Sequence, residues 1–249
     1  MSAGTPTVLL VHGAFAESAS WHGVIERLHH HGTPLVATHD RRFSDVVAVG
    51  NPLRSLTGDA AYVRDVIAGT GGPILLVGHS YGGMVITEAA ANDDAVIGLV
   101  YVGAFAPDHG ESAFDLSVKF RGSTLGDALT AYPVATGGND LAIRRDLFHQ
   151  QFAADVPAHQ AAVMAATQRP ATDVALNEGL PTDTPAWKHT PSWFVYGDQD
   201  LNIPAELQRF MADRAGAKST REIAGASHAL SVSEPDAVTA TIFDALDAL

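Results

Sequence analysis

Short strand-like runs alternate with helix-patterned stretches along both ends of this chain, and that alternation constrains the fold most. Thr7–Val11, Pro73–Val77 and Ile97–Val102 are apolar at nearly every position, so both faces of each run seek burial. Helical patterns lie between them at Ser18–His31 (ending at Gly32), Thr57–Ala68 and Tyr81–Ala91, and Pro34–Thr38 is a further strand candidate. After a break, Ser192–Tyr196, a helix over Pro204–Ala215, Ser219–Ile223 and a terminal helix from Pro235 resume the alternation. Pro at the start and Gly216 just past the end bound the Pro204–Ala215 helix. Buried strands joined by helical crossovers predict a mostly parallel, doubly wound α/β sheet covered on both sides.

The alternation stops between about Asp108 and Thr190. No strand is expected there. Helical pieces such as Leu141–Phe152 and Pro157–Gln168 are broken by Gly137-Gly138, Pro170, Pro181 and Pro185, which reads as a helical lid inserted at about 108–190 into a single domain spanning 1–249. The stretch from His39 through Pro52 is long for a connection; it is either a surface excursion or an extra strand over Asp45–Val49.

Composition removes several classes of function. With 15 Lys+Arg against 28 Asp+Glu, a balance of −13, there is no basic surplus to displace counterions from a phosphate backbone, so nucleic acid is not expected as a partner. The absence of cysteine excludes disulfides, thiolate metal sites and Cys nucleophiles. The longest apolar run, Val96–Ala106, is far short of the roughly 18–20 residues that cross a bilayer, and the first residues lack the basic start of a secretory signal. A cytoplasmic protein without membrane attachment is the expectation. Gly69-Thr70-Gly71-Gly72 precedes a strand, so it is no dinucleotide loop, and neither a P-loop nor calcium-loop spacing occurs; no cofactor and no metal are expected. The His29-His30-His31 run reads as a solvated helix end.

Gly78-His79-Ser80-Tyr81-Gly82-Gly83 joins the strand ending at Val77 to the helix that follows. So tight a junction forces its central residue into a strained backbone with the side chain projecting, and Gly78 and Gly82 remove the side chains that would obstruct it. Ser80 is thereby a candidate nucleophile at a helix N-terminus. A serine hydroxyl needs a base, and the base an orienting acid. His228, in the loop after Ser219–Ile223, is the candidate base, and Asp200 or Asp198, after Ser192–Tyr196, the candidate acid. Both loops lie past the carboxyl ends of strands, where open α/β sheets bind ligands. His79 neighbours the serine, points the other way from the turn and supports it. An oxyanion needs two N–H donors; Tyr81 supplies one, and the loop Val11-His12-Gly13-Ala14-Phe15 the other, from Ala14 first and Phe15 second. Phe15, Tyr81, Phe105, Phe114 and Trp187 are candidates for an apolar substrate pocket under the lid.

Together His12-Gly13-Ala14, the Gly78–Gly83 elbow, Gly197-x-x-Asp200-x-x-x-Pro204 and His228-Ala229-Leu230-Ser231-x-Ser233-Glu234-Pro235 resemble the α/β-hydrolase superfamily over essentially the whole chain. The resemblance implies that the acid is the third residue after the strand-ending glycine, which selects Asp200. The spacing from His12 to Trp21 and the His228–Pro235 ending are most similar to small esterases of the methyl-salicylate esterase and hydroxynitrile lyase-like branch. Ser80 departs from the carboxylate nucleophile of epoxide hydrolases and haloalkane dehalogenases; Gly13 and Ala229 depart from the threonine and lysine of the plant lyases; His79 departs from the asparagine common in carbon–carbon bond hydrolases. The resemblance therefore implies a serine hydrolase of a small carboxylic ester working through an acyl-enzyme, and the acidic surface, which would not attract anions, makes an uncharged substrate the expectation. A cofactor-free haloperoxidase, perhydrolase or lactone hydrolase would use the same triad, and a catalytically idle ligand-binding member would need none of it.

Overall fold

The computed structural model describes residues 4–32, 42–135 and 137–249. In chain order its first part runs β1 (Thr7–Val11), a 3-10 turn at Ser18–Trp21, α1 (His22–Gly32), β2 (Asp45–Val49), α2 (Leu56–Thr70), β3 (Ile74–His79), α3 (Gly82–Ala89) and β4 (Val96–Val102). An intervening segment carries α4 (Ala113–Ser117), α5 (Leu125–Ala128), β5 (Leu129–Pro133), β6 (Asn139–Ile143), α6 (Arg145–Phe152), α7 (Ala158–Thr167), β7 (Ala171–Thr172) and α8 (Asp173–Asn177). The chain then returns through β8 (Ser192–Gly197), α9 (Ala205–Arg214), β9 (Ser219–Ile223), α10 (Leu230–Ser233) and α11 (Pro235–Ala248).

The central sheet has six strands in the order β2-β1-β3-β4-β8-β9, every adjacent pair parallel. Because side chains alternate across a strand, the apolar runs divide between two cores. Leu9, Val11, Ile74, Leu76, Leu99, Tyr101 and Phe194 pack with Leu56, Val63 and Ile67 of α2, Met84 and Val85 of α3, and Leu207 and Met211 of α9. Val8, Leu10, Leu75, Val77, Val100, Val102, Trp193 and Val195 pack on the opposite face with Val24 and Leu28 of α1 and Val238, Ile242 and Ala245 of α11. Each such aliphatic side chain, fully buried, contributes about 1.5–3 kcal/mol. Helix ends follow local chemistry: the Ser55 hydroxyl accepts from Gly58 N at 3.1 Å to start α2, and Gly71, at φ 71°, ends it.

Of three sequence expectations, one is resolved between its two readings, one falls outside the described residues and one is corrected. Asp45–Val49 is a strand, paired in parallel with β1 from Thr7↔Asp45 to Val11↔Val49, so that stretch extends the sheet instead of looping over the surface. The Pro34–Thr38 candidate lies outside the described residues. The segment expected to hold no strand contains an antiparallel three-stranded sheet, β5-β6-β7, and Leu141, expected to open a helix, sits in β6 while the helix begins at Arg145. The insert is not a detached cap. Its Leu116, Ile143, Phe148, Phe152, Ala161 and Leu180 belong to the same core as the α2–α3–α9 face of the sheet.

Candidate active site

Ser80 stands at the junction of β3 and α3 with φ 54°, a left-handed conformation that costs a non-glycine residue about 1–3 kcal/mol. The surroundings enforce it. A Cβ on Gly78 would lie 2.7 Å from the Gly82 carbonyl oxygen, and one on Gly82 would lie 2.3 Å from the Val11 oxygen, so only glycine lets the turn close. The Ser80 carbonyl accepts from Gly83 N at 2.9 Å and Phe105 N at 3.2 Å, while Ser80 N donates to Val102 O. Among the described residues no group hydrogen-bonds the Ser80 hydroxyl, which opens into a cavity of about 700 Å³.

The loops after β8 and β9 bring Asp200 and His228 together. His228 Nδ1 lies 2.7 Å from Asp200 Oδ2, and both side chains are buried. The other carboxylate oxygen accepts from Asn202 N at 2.7 Å and Ile203 N at 2.9 Å, which fixes its plane. Asp198 serves elsewhere, accepting from Gly225 N at 2.7 Å. The imidazole of His79 turns away from the cavity, and its Nε2 donates to the His228 carbonyl at 2.9 Å. Burial first, and then the nearby His228, lowers the His79 pKa to about 3, so it is neutral. The bond between His228 and Ser80 is not made in this structure. Such contacts often tighten only when substrate is bound.

The loop after β1 passes directly over the elbow. A Cβ at Gly13 would fall 2.6 Å from Ser80 Cβ and 3.0 Å from Tyr81 N, so glycine permits the approach that places Ala14 beside Tyr81. Among the described residues the N–H groups of Ala14 and Tyr81 have no acceptor. The N–H of Phe15, the second choice for the oxyanion, donates to Arg169 O at 3.0 Å and is not free. The Tyr81 phenol donates to Asp59 Oδ2 at 2.9 Å, and the other Asp59 oxygen accepts from Arg54 N at 3.0 Å. Burial holds the Asp59 carboxyl above its ordinary pKa and the Tyr81 phenol well above its own.

Phe15, Tyr81, Phe105 and Phe114 line the cavity, joined by Val118, Phe120, Leu125, Leu129, Leu141 and Leu176 from the insert. Trp187 does not line it. Its indole donates to Pro107 O at 2.7 Å, and Lys188 and Arg214 lie over its ring. Contacts that sequence reasoning missed come from the end of α6 and the turn after it. Gln151 Nε2 donates to Leu201 O at 3.1 Å and Asn202 Oδ1 at 2.8 Å, while its Oε1 accepts from Thr124 at 2.9 Å. The Phe152 ring meets the His228 ring edge-on, 4.8 Å between centroids. Asp155 accepts from Ser227 N at 3.1 Å and from the Ser227 hydroxyl. No sequence signal marks them, because the partners lie 27 to 76 residues away, beyond the reach of any local spacing rule. No group of three metal-ligating side chains occurs among the described residues, and no described helix is long and apolar enough to cross a membrane.

A strained serine at a strand–helix elbow, with an Asp–His pair at neighbouring strand ends, defines a class. The chain belongs to the alpha/beta hydrolase family, whose model matches residues 8–241. It is 26% identical to the alpha/beta hydrolase nvfD of Aspergillus novofumigatus (strain IBT 16806), over 96% of each chain. Among solved structures it is similar to the methylesterase protein MES16 from Arabidopsis (TM-score 0.76, 15% identity, covering 98% of this chain and 100% of that one). It is also similar to the pyrethroid hydrolase PytH (TM-score 0.74, 22% identity, 98% of each chain).

Proposed function

We propose that the protein is a serine esterase that cleaves a small uncharged carboxylic ester through an acyl-enzyme. The observation that carries this reading is the 2.7 Å His228–Asp200 pair, tied to the elbow by the His79–His228 hydrogen bond, together with Ser80 lining an apolar cavity near two unengaged N–H groups.

With Nδ1–H donated to Asp200, the lone pair of His228 is on Nε2. Nε2 takes the Ser80 proton as Oγ attacks the acyl carbon, and the carbonyl electrons move to an oxyanion held by Ala14 N–H and Tyr81 N–H. Collapse expels the alkoxide, which leaves as alcohol with the proton from His228. Water then gives a proton to Nε2 and attacks the same carbon. The second intermediate releases the carboxylic acid and returns the proton to Ser80 Oγ. Asp200 stays ionised and stabilises the imidazolium in both halves. His79, neutral beside it, adds no competing positive charge. The cavity of about 700 Å³ lies within the range of small-molecule sites, and its mostly apolar walls suit an uncharged substrate. The names of the neighbours, methylesterase and pyrethroid hydrolase, support ester chemistry of this kind.

The test is hydrolysis of p-nitrophenyl esters of increasing acyl length, wild type beside Ser80→Ala, with fluorophosphonate labelling in parallel. Turnover and labelling in wild type, both lost in Ser80→Ala, are expected. Equal inertness of the two proteins toward esters and label would overturn the reading in favour of ligand binding without catalysis.

A further inference from the structure

We propose that the end of α6 and the turn after it position the triad, Asp155 setting the base and Gln151 the acid. The inference rests on the reading of His228 as base and Asp200 as acid. The loop between β9 and α10 is short: its Ala226 carbonyl accepts from Gln199 N at 3.1 Å and its His228 carbonyl from His79 Nε2 at 2.9 Å, while the Ala226 N to Ile223 O contact is 3.4 Å long. A general base, however, must be held to within about 0.5 Å of its working position.

Asp155 adds a second constraint, on the residues flanking the base. One carboxylate oxygen accepts from Ser227 N at 3.1 Å, immediately before the base. The other accepts from the Ser227 hydroxyl, and that same hydroxyl accepts from Ala229 N at 3.3 Å, immediately after the base. One carboxylate thereby fixes the backbone on both sides of His228. Charge-assisted bonds of this kind are roughly twice as strong as neutral ones. The Phe152 ring closes the third side, edge-on to the imidazole.

Gln151 does the equivalent for the acid. It holds the Leu201 carbonyl and the Asn202 side chain, and the backbone N–H groups of Asn202 and Ile203 hold Asp200 Oδ1. Five consecutive residues of the insert, 151–155, therefore reach the loops of both triad partners. Hydrophobic packing does not account for Asp155, an exposed carboxylate whose two oxygens are both spent on the residue before the base. Asp155 is a positioning residue: it acts through His228 and does not face the reacting atoms.

The experiment compares wild type, Asp155→Ala, Asp155→Asn and Asp146→Asn on a p-nitrophenyl ester, with fluorophosphonate labelling rates and melting temperatures. Asp155→Ala is expected to lose roughly 10- to 100-fold in kcat with KM within about two-fold, and labelling slows in the same proportion. Asp155→Asn, which keeps an acceptor for Ser227 N, recovers most of that loss. Asp146→Asn, which removes only a surface pair with Arg144, behaves as wild type. If Asp155→Ala retains kcat and labelling within about two-fold, whatever its melting temperature, the proposal is overturned. Should Asp155→Ala not fold, Ser227→Ala removes the same bridge from the other end; an unchanged kcat there overturns the proposal as well. Wild type inert to both ester and label would show instead that the esterase reading had failed, and this proposal with it.

Discussion

His12 Nδ1 donates a 2.9 Å hydrogen bond to the carbonyl of Gly13, its own neighbour. Its Nε2 accepts from Asn51 N at 3.1 Å, so both ring nitrogens are committed and the ring is neutral, its pKa lowered by burial to about 4. In a trans peptide the Gly13 carbonyl and the Ala14 N–H point oppositely. Pinning the carbonyl therefore aims the N–H that the mechanism requires. His12→Ala is expected to lower kcat by about 10- to 100-fold, less than the ~10²–10³ for removal of an oxyanion donor, because the peptide is freed and not deleted. Steady-state kinetics with KM little changed would check it.

Asp200→Asn separates orientation from packing. Its Oδ1 still accepts from Asn202 N and Ile203 N, so the loop keeps its shape. The new amide faces His228 Nδ1 with a donor and drives the proton to Nε2, where the imidazole is no longer a base. A fall in kcat of about 10³–10⁴ is expected, with an unchanged melting temperature. Removing the nucleophile by Ser80→Ala also relieves none of the backbone strain, so it too should leave thermal stability close to wild type while abolishing turnover.

Stability should fall in mild acid for a reason that lies in two buried imidazoles. His12 and His79 have folded pKa values lowered to about 4 and about 3, against about 6.5 when unfolded. Their depressed values mean that, between pH 6.5 and about 4, the unfolded chain holds protons that the folded chain does not. Stability is therefore complete above pH 6.5 and is lost as pH falls through that window. Near pH 5 the two together give a slope of roughly 2 to 3 kcal/mol per pH unit. Asp59, whose carboxyl is raised by burial, opposes this near the bottom of the window. Denaturant titrations from pH 7 to 4 check the slope, which His79→Gln should roughly halve.

The legible parts of this molecule were those determined by neighbours in the chain. The elbow is a local steric problem, and Gly78, Ser80 and Gly82 state its solution within five residues. The α/β alternation is likewise local, since β1 and β3 are buried on both faces. The antiparallel sheet of the insert was not legible. In β5, Leu129-Thr130-Ala131-Tyr132-Pro133 is largely exposed, so no apolar alternation marks it, and Leu141 of β6 falls in phase with the helix that follows. Gly137 and Gly138, both at positive φ, read as a break when they in fact lie between two paired strands. The Asp155–Ser227 and Gln151–Leu201 contacts join loops brought close only by tertiary folding, and no spacing rule reaches them.

Two aromatic residues expected in the same pocket should respond oppositely to truncation. Trp187 is buried and away from the cavity, donating to Pro107 O with Arg214 and Lys188 across its ring. Trp187→Ala is expected to cost about 3 kcal/mol of stability while leaving ester kinetics unchanged in the molecules that remain folded. Phe114 is 56% exposed yet lines the cavity beside Val118, so little burial is lost when it is truncated. Phe114→Ala should change the melting temperature little and raise KM for the longer acyl esters several-fold, with short esters nearly unaffected. Chain-length profiles for the two variants decide the matter: a Trp187 variant with an altered profile would place that side chain at the substrate after all.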